Sequence, residues 1–176
     1  GDRMTTPNIG TMGIVDYFRV PKRQWYWYRN AYAGVPPPAW PAPGTPAGLS
    51  LTASTTELAS VDGTEDAHLL VTVVDASGTP ISNNVPVTLT IQSGPGEFPT
   101  GPRITFVPVS DDAQSDIYIM DGQAAIEFRT YYSGTTVIEA SSPGLASDTL
   151  TITSRGTPAW QEGTTPAVQP RPYRRY

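Results

Sequence analysis

The sequence predicts a mainly β protein, in which an antiparallel β-sandwich follows one short aromatic helix and a proline-rich linker. Three observations predict this organisation. Between residues 49 and 154, apolar and polar residues alternate with a period of two, and turn-forming residues separate the short runs. Six prolines fall within residues 33–48. Residues 22–32 contain many aromatic side chains but neither glycine nor proline, as expected for a helix.

The composition limits the classes of function. The 176 residues are 38% hydrophobic, which is enough for one core. A net charge of −5 argues against nucleic-acid binding, which needs a basic face to neutralise phosphates. The sequence has no cysteine, so disulfides and thiolate metal sites are excluded. No apolar run approaches the roughly 20 residues that span a bilayer. No signal peptide is visible, and we expect the chain to be a processed product or a piece of a larger protein.

The predicted helix carries aromatic rings on two faces over about three turns. Pro21 suits its first turn, where a missing backbone N–H costs nothing. Trp25, Tyr28 and Tyr32 fall on one face, and Trp27 and Ala31 fall on another. A helix that is apolar on two faces is normally buried in a larger body, so we expect another surface to cover it.

The linker, residues 33–48, is expected to be a semi-rigid polyproline spacer. Trp40 lies inside it. We expect this ring to anchor the linker to a neighbouring surface, and the alternative is a ring that stacks on a sugar.

Residues 49–154 predict about seven short strands, which is typical of an immunoglobulin-type sandwich. The alternating apolar positions are Leu49, Leu51, Leu69, Val71, Val73, Val85, Val87, Leu89, Ile91, Ala124, Ile126, Phe128, Ile138, Ala140, Leu150 and Ile152. Residues 97–121 interrupt the pattern as a longer excursion, with an edge strand expected from Arg103. Asp111, Asp112 and Asp116 could gather around Ca²⁺, but they lack the glycine and terminal glutamate of an EF-hand loop, so a solvated acidic loop is favoured.

The tail, residues 155–176, loses the alternation, and four prolines keep it extended. Its last residues are basic and aromatic. The tail is therefore either a flexible terminus or a segment that docks on an acidic surface of its parent or of a neighbouring subunit.

Tyr131 and Tyr132 could join Trp40 or Trp160 in a platform for a sugar, although packing against the linker or the helix is the favoured role.

Two resemblances to known families rest on residue motifs. Residues 1–32 resemble the segment that follows the last catalytic-barrel strand in family 2 glycoside hydrolases, the group of β-galactosidases, β-glucuronidases and β-mannosidases. The matching positions are Gly1-Asp2-Arg3, Thr6-Pro7-Asn8, Gly13-Ile14-Val15, Arg19 and Pro21-Lys22. The sandwich resembles bacterial immunoglobulin-like domains of the invasin type, and resembles still more the C-terminal immunoglobulin-like domain of many family 2 enzymes. Residues 71–81, 122–124 and 134–145 carry this second resemblance.

The first resemblance implies a retaining parent enzyme with two catalytic glutamates on earlier barrel strands, about 5–5.5 Å apart. None of the glutamates of this sequence matches that motif, so we expect no catalytic residue, no cofactor and no metal in this chain. For the lone His68, a surface position is favoured over a catalytic triad. Four segments are expected: the barrel end with the helix (1–32), the linker (33–48), the sandwich (49–154) and the tail (155–176).

The implied function is that of an accessory module in carbohydrate breakdown, outside the cell or at its surface. The expected partners are the rest of the catalytic domain or another copy of the chain, and polysaccharide is a further candidate. The alternative is an immunoglobulin-like spacer or adhesin subunit of a cell-surface or filament assembly, in which the aromatic helix plugs into the next subunit. The candidate contacts for a glycan or a partner are Trp25, Trp27, Tyr28, Trp40, Tyr131, Tyr132 and Trp160.

Overall fold

A computed structural model of the protein describes residues 13–15, 19–108 and 117–171. The motif at residues 1–8, the acidic residues Asp111, Asp112 and Asp116, and the last five residues of the tail lie outside these ranges. The described part contains one helix and nine strands. They are α1 (Arg23–Ala33), β1 (Gly48–Ala53), β2 (Glu57–Leu58), β3 (Ala67–Val74), β4 (Val87–Ser93), β5 (Arg103–Pro108), β6 (Tyr118–Ile119), β7 (Gln123–Phe128), β8 (Gly134–Ser141) and β9 (Asp148–Ser154).

The strands form two sheets, one of three strands in the order β1-β3-β7 and one of six strands in the order β2-β9-β8-β4-β5-β6. The longer strands pair antiparallel. The two-residue strands β2 and β6 pair in parallel with β9 and β5. Buried apolar residues from both sheets form one cluster. The predicted antiparallel sandwich of immunoglobulin type is therefore confirmed. Among the described residues, no helix is long and apolar enough to cross a membrane.

The interior of the sandwich is filled by residues that alternate along the strands. Val71 of β3, Val87 of β4 and Phe106 of β5 are fully buried, and the last two face each other in register. Phe98 is also fully buried, and its ring meets that of Phe128 edge-on at 6.3 Å. The period of two could not place Phe98 in the core, because this residue lies in a tight turn before β5 rather than in a strand.

The segment before α1 covers the outer face of the three-stranded sheet. Ala125 of β7, which the alternation assigns to the solvent side, is only 1% exposed. Val20 is buried within the same apolar cluster as β7, and Arg19 Nη1 lies 3.7 Å from Glu127 Oε1. The Nδ1 atom of His68 lies 3.2 Å from the same carboxylate in a cross-strand pair. Alternation thus predicts the strand correctly, but it cannot reveal that another segment of chain lies over the outer face.

The free edge of β1 is occupied by the residues that lead into β9. The backbone N–H of Leu49 donates to the carbonyl oxygen of Ala146 at 3.0 Å. The N–H of Leu51 donates to the carboxylate of Asp148 at 2.7 Å. These bonds join the edge of the three-stranded sheet to the six-stranded sheet.

Candidate binding surfaces

The first turn of α1 is held to the turn between β6 and β7. The guanidinium of Arg23 donates to both carboxylate oxygens of Asp121, with Nε–Oδ2 at 3.1 Å and Nη2–Oδ1 at 2.9 Å. Two parallel N–H···O bonds fix orientation as well as distance. The side chains stay 54% and 44% exposed, so the pair orients the helix more than it stabilises the fold.

Trp40 makes its ring contacts with the helix of the same chain. Its ring meets Tyr26 edge-on at 5.1 Å, and the Arg23 guanidinium lies 5.2 Å from its centroid. Farther along the linker, the carbonyl of Ala42 accepts a hydrogen bond from the N–H of Ser82 at 3.1 Å. This part of the linker therefore lies along the sandwich. A cavity of about 550 Å³ remains between helix, linker and the β6–β7 turn.

The opposite side of α1 presents a row of exposed rings, which we call the aromatic patch: Trp27, Tyr28 and Tyr32. These side chains are 64%, 43% and 85% exposed, and the two tyrosine rings stack at 6.1 Å. Trp25, predicted on the same face as Tyr28, is partly buried, with Tyr26 edge-on at 4.8 Å and the Arg29 guanidinium 5.3 Å from its ring. The exposed aromatic surface of the helix thus consists of the three patch residues, and Trp25 contributes little to it.

The tail is attached to the sandwich at two places. The backbone N–H of Trp160 donates to the carbonyl of Ser133 at 2.9 Å. At the far end, the N–H of Arg171 donates to the carbonyl of Thr100 at 2.9 Å, and its guanidinium lies 2.5 Å from the Glu97 carboxylate. The tail up to Arg171 thus lies against the chain's own sandwich, and docking of the basic and aromatic end stays a prediction, because residues 172–176 lie outside the described ranges.

A second cavity, of about 620 Å³, lies between the tail and strand β4; we call it the tail cavity. Tyr132 and Trp160 both line it, together with Gln92 and Glu162. Tyr131 points elsewhere: its ring lies against Gly63 and is 44% exposed. The two rings thus lie on different surfaces, so the predicted Tyr131–Tyr132 platform is divided.

Most carboxylates of the described residues take part in contacts within the fold. The pairs include Glu57 with Arg155, Glu97 with Arg171, Glu127 with Arg19, and Glu139 with Gln92. Within the described ranges, no group of three or more His, Asp and Glu side chains is arranged to hold a metal ion. Glu162 differs from these glutamates, because it makes no hydrogen bond or ion pair with another described residue.

Sequence reasoning missed two contributors to these surfaces. The first is the pair of Arg23 and Asp121, for which the only signal was an Asp-Gly turn 98 positions away. The second is Tyr26, which turns inward against Trp40 although the helical wheel favoured Trp25 and Tyr28. Long-range pairs of this kind depend on how the helix lies over the sheet, which helical period does not specify.

Comparisons with known proteins give matches among solved structures. No protein-family model matches the sequence, and no curated protein matches it. A β-glucuronidase from glycoside hydrolase family 2 matches 75% of this chain at 26% identity, with a TM-score of 0.51. A family 2 glycosyl hydrolase from Bacteroides cellulosilyticus matches 65% at 17% identity, with a TM-score of 0.52. A β-glycosidase from Bacteroides vulgatus matches 63% at 14% identity, with a TM-score of 0.50.

The chain spans only 14–15% of the length of these three enzymes. The match is therefore to a small part of each. The chain has the predicted immunoglobulin-like sandwich, and its structural neighbours include family 2 glycoside hydrolases, as expected for an immunoglobulin-like domain of such an enzyme.

Proposed function

We propose that this chain is a non-catalytic accessory module of a retaining family 2 glycoside hydrolase, and that it orients the sandwich against the catalytic barrel. The observation that carries the proposal is the aromatic patch. Contacts of Arg23 and Tyr26 hold α1 to its own sandwich and linker, while Trp27, Tyr28 and Tyr32 face outward.

A row of three exposed aromatic rings favours a protein partner. Soluble monomers rarely expose contiguous apolar patches, and aromatic residues are enriched where proteins meet. Tyrosine and tryptophan suit such contacts, because each ring supplies apolar area and a polar tip. The preceding residues resemble the end of a family 2 barrel, so the barrel is the partner that the sequence favours.

The glutamates of the chain support the non-catalytic part of the proposal. A retaining hydrolase needs two carboxyl groups about 5–5.5 Å apart, one of them free to attack the sugar. Glu57, Glu97 and Glu127 each have a basic partner within the fold. Catalysis is then the work of the barrel, and we place the enzyme outside the cell or at its surface.

The gene and its natural product test this proposal. We expect the reading frame upstream of Gly1 to encode a catalytic barrel, which typically takes about 250 residues. We also expect the mass of the native protein to be that of this chain together with such a barrel. A mature product that begins at Gly1 after a secretion signal would contradict the proposal and favour the subunit of a surface assembly.

A second measurement tests the role of the patch. The upstream barrel, produced separately, should bind this chain in size-exclusion light scattering. Replacing Trp27 and Tyr32 together by serine should weaken that binding, whereas replacing Tyr131, an exposed aromatic residue outside the helix, by serine should leave it unchanged. Equal binding by both variants would contradict the role of the patch.

A further inference from the structure

We infer that the tail cavity is a binding site for a neutral oligosaccharide. The site would exist whether or not the chain belongs to a glycoside hydrolase, since only residues of this chain line it. Its volume of about 620 Å³ falls within the range of small-molecule sites, about 300–1,000 Å³. The inference depends on how the walls, the floor and the lining chemistry are built.

The outer wall is a segment of tail fixed at both ends. Trp160 is held at Ser133 and Arg171 at Thr100. Between them a turn is closed on itself, because the N–H of Gln161 donates to the Thr165 hydroxyl at 2.8 Å and the Thr165 N–H donates back to the Gln161 carbonyl at 2.8 Å. A wall fixed in this way loses little freedom when a ligand binds, which favours affinity.

The floor is a bulge in strand β4. The pairing of β4 with β8 shifts register between Ile91 and Ser93, so Gln92 stands outside the regular ladder. Its side-chain amide donates to Glu139 at 2.5 Å. Gly94 follows with a φ of +89°, and a Cβ there would lie 2.0 Å from the carbonyl oxygen of Thr135. Such bulges redirect side chains and are common beside functional sites.

The lining suits a ligand with flat apolar faces and hydroxyl edges. Tyr132 and Trp160 supply aromatic surface, while Gln92 and Glu162 supply an amide and a carboxylate. The carboxylate of Glu162 has no partner among the described residues and can accept bonds from hydroxyl groups. No lysine, arginine or histidine is among the described residues that line the cavity, which disfavours an anionic ligand.

A proline-rich peptide is the competing ligand, because aromatic grooves also bind polyproline helices. Proline has no backbone N–H, so such a peptide would leave the Glu162 carboxylate without a donor. A sugar offers several hydroxyl donors to that carboxylate and C–H faces to the two rings. The geometry therefore favours the neutral sugar.

The full chain should be titrated with β-1,4-linked gluco-, xylo- and mannohexaose, and binding followed by the ring signals of Trp160 and the side-chain amide of Gln92. We expect a saturable response to at least one hexaose. Trp160→Ala should weaken it by about tenfold, through loss of one stacking surface. Glu162→Gln should weaken it severalfold without changing the melting temperature, because this side chain is exposed and has no partner among the described residues.

Tyr131→Ser is the matched control, since it removes an exposed aromatic ring that lies against Gly63, outside the cavity, and should leave the affinity unchanged. If Trp160→Ala also loosens the tail, its effect on binding is not informative, and the test of the inference then rests on Glu162→Gln. The inference fails if no hexaose binds at millimolar concentration, or if binding is insensitive to Glu162→Gln. It also fails if an oligogalacturonate or a proline decamer binds more tightly than every neutral hexaose. None of these results bears on the upstream reading frame, so this inference and the proposed function can fail separately.

Discussion

Arg23 and Asp121 are joined by two hydrogen bonds across 98 positions of sequence, and this pair attaches α1 to the sandwich. Both side chains are about half exposed, and ion pairs of this kind contribute little to stability. The main effect of the pair is therefore to limit the motion of the helix.

Arg23→Ala should lower the free energy of unfolding by at most about 1 kcal/mol. It should nevertheless speed hydrogen exchange of the α1 amides, because the helix loses the contact that orients it. Hydrogen-exchange mass spectrometry of residues 23–33 would measure this effect. Arg155→Ala, which breaks an exposed pair with Glu57, is the control and should leave exchange in α1 unchanged. Unaltered exchange in Arg23→Ala would show that the aromatic contacts hold the helix alone.

The aromatic patch should make the isolated chain self-associate when no partner covers it. Size-exclusion light scattering should give a mass above that of a monomer at micromolar concentration, falling towards the monomer in the double variant Trp27→Ser with Tyr32→Ser. A truncated chain that begins at Ala47 should stay monomeric. If the full chain is also a monomer and stays soluble, exposure of the patch does not drive association.

Val87→Asp should unfold the sandwich. Val87 is fully buried opposite Phe106, and a lone carboxylate there would have no partner. We expect a loss above about 4 kcal/mol, measured by urea denaturation. Thr151→Asp, on the exposed side of β9, should change stability by about 0.5 kcal/mol or less. A cooperative melt in Val87→Asp close to that of the native chain would contradict the assignment of this core.

Asp75 should make stability depend on pH. A hydrogen bond from the Ser77 hydroxyl, followed by one from the Thr79 N–H, holds the pKa of the Asp75 carboxyl below its usual value of 3.8. Because the folded pKa lies below the unfolded one, the stabilisation is complete above pH 3.8 and is lost as the pH falls through the folded value. Urea midpoints should therefore show Asp75→Asn less stable than the native chain near neutral pH, with a smaller difference in acid. A difference that does not shrink in acid would assign the loss to geometry instead of charge.

The chain alone should not hydrolyse nitrophenyl β-galactoside or β-glucuronide. Its glutamates do not match the catalytic motif, and a retaining mechanism needs a matched carboxyl pair. Turnover above the buffer rate that disappears when one glutamate is replaced would contradict the accessory role.

The sequence predicted what local periodicity encodes. Alternation at Val71 and Val87 identified core positions in β3 and β4, and the run before Gly34 identified the helix, whose last turn Gly34 closes by donating to Asn30. Burial of Phe98 and Ala125 could not be predicted in this way. The first lies in a turn, and the second is covered by residues more than a hundred positions away, so both depend on tertiary packing.

For the candidate surfaces, the sequence predicted individual residues, but it did not predict which of them lie together in the fold. Tryptophans and tyrosines are rare enough to attract attention, so Trp27, Tyr132 and Trp160 could be named from the sequence. Their grouping could not, because it requires the folded-back tail and the bulge at Gln92. Glu162 gave no signal at all, since an exposed glutamate in a tail resembles any solubilising charge.

The carboxylate of Asp148, which accepts a hydrogen bond from the Leu51 N–H, affects how copies of this protein can assemble. An uncovered outer strand would offer its N–H and C=O groups to a strand of another molecule, which is a common start of aggregation. On β1, Asp148 and the Ala146 carbonyl already take two of these groups. A fibre that grows by adding strand to strand at β1 would first have to break those bonds, so copies of this chain should not join backbone to backbone along this edge.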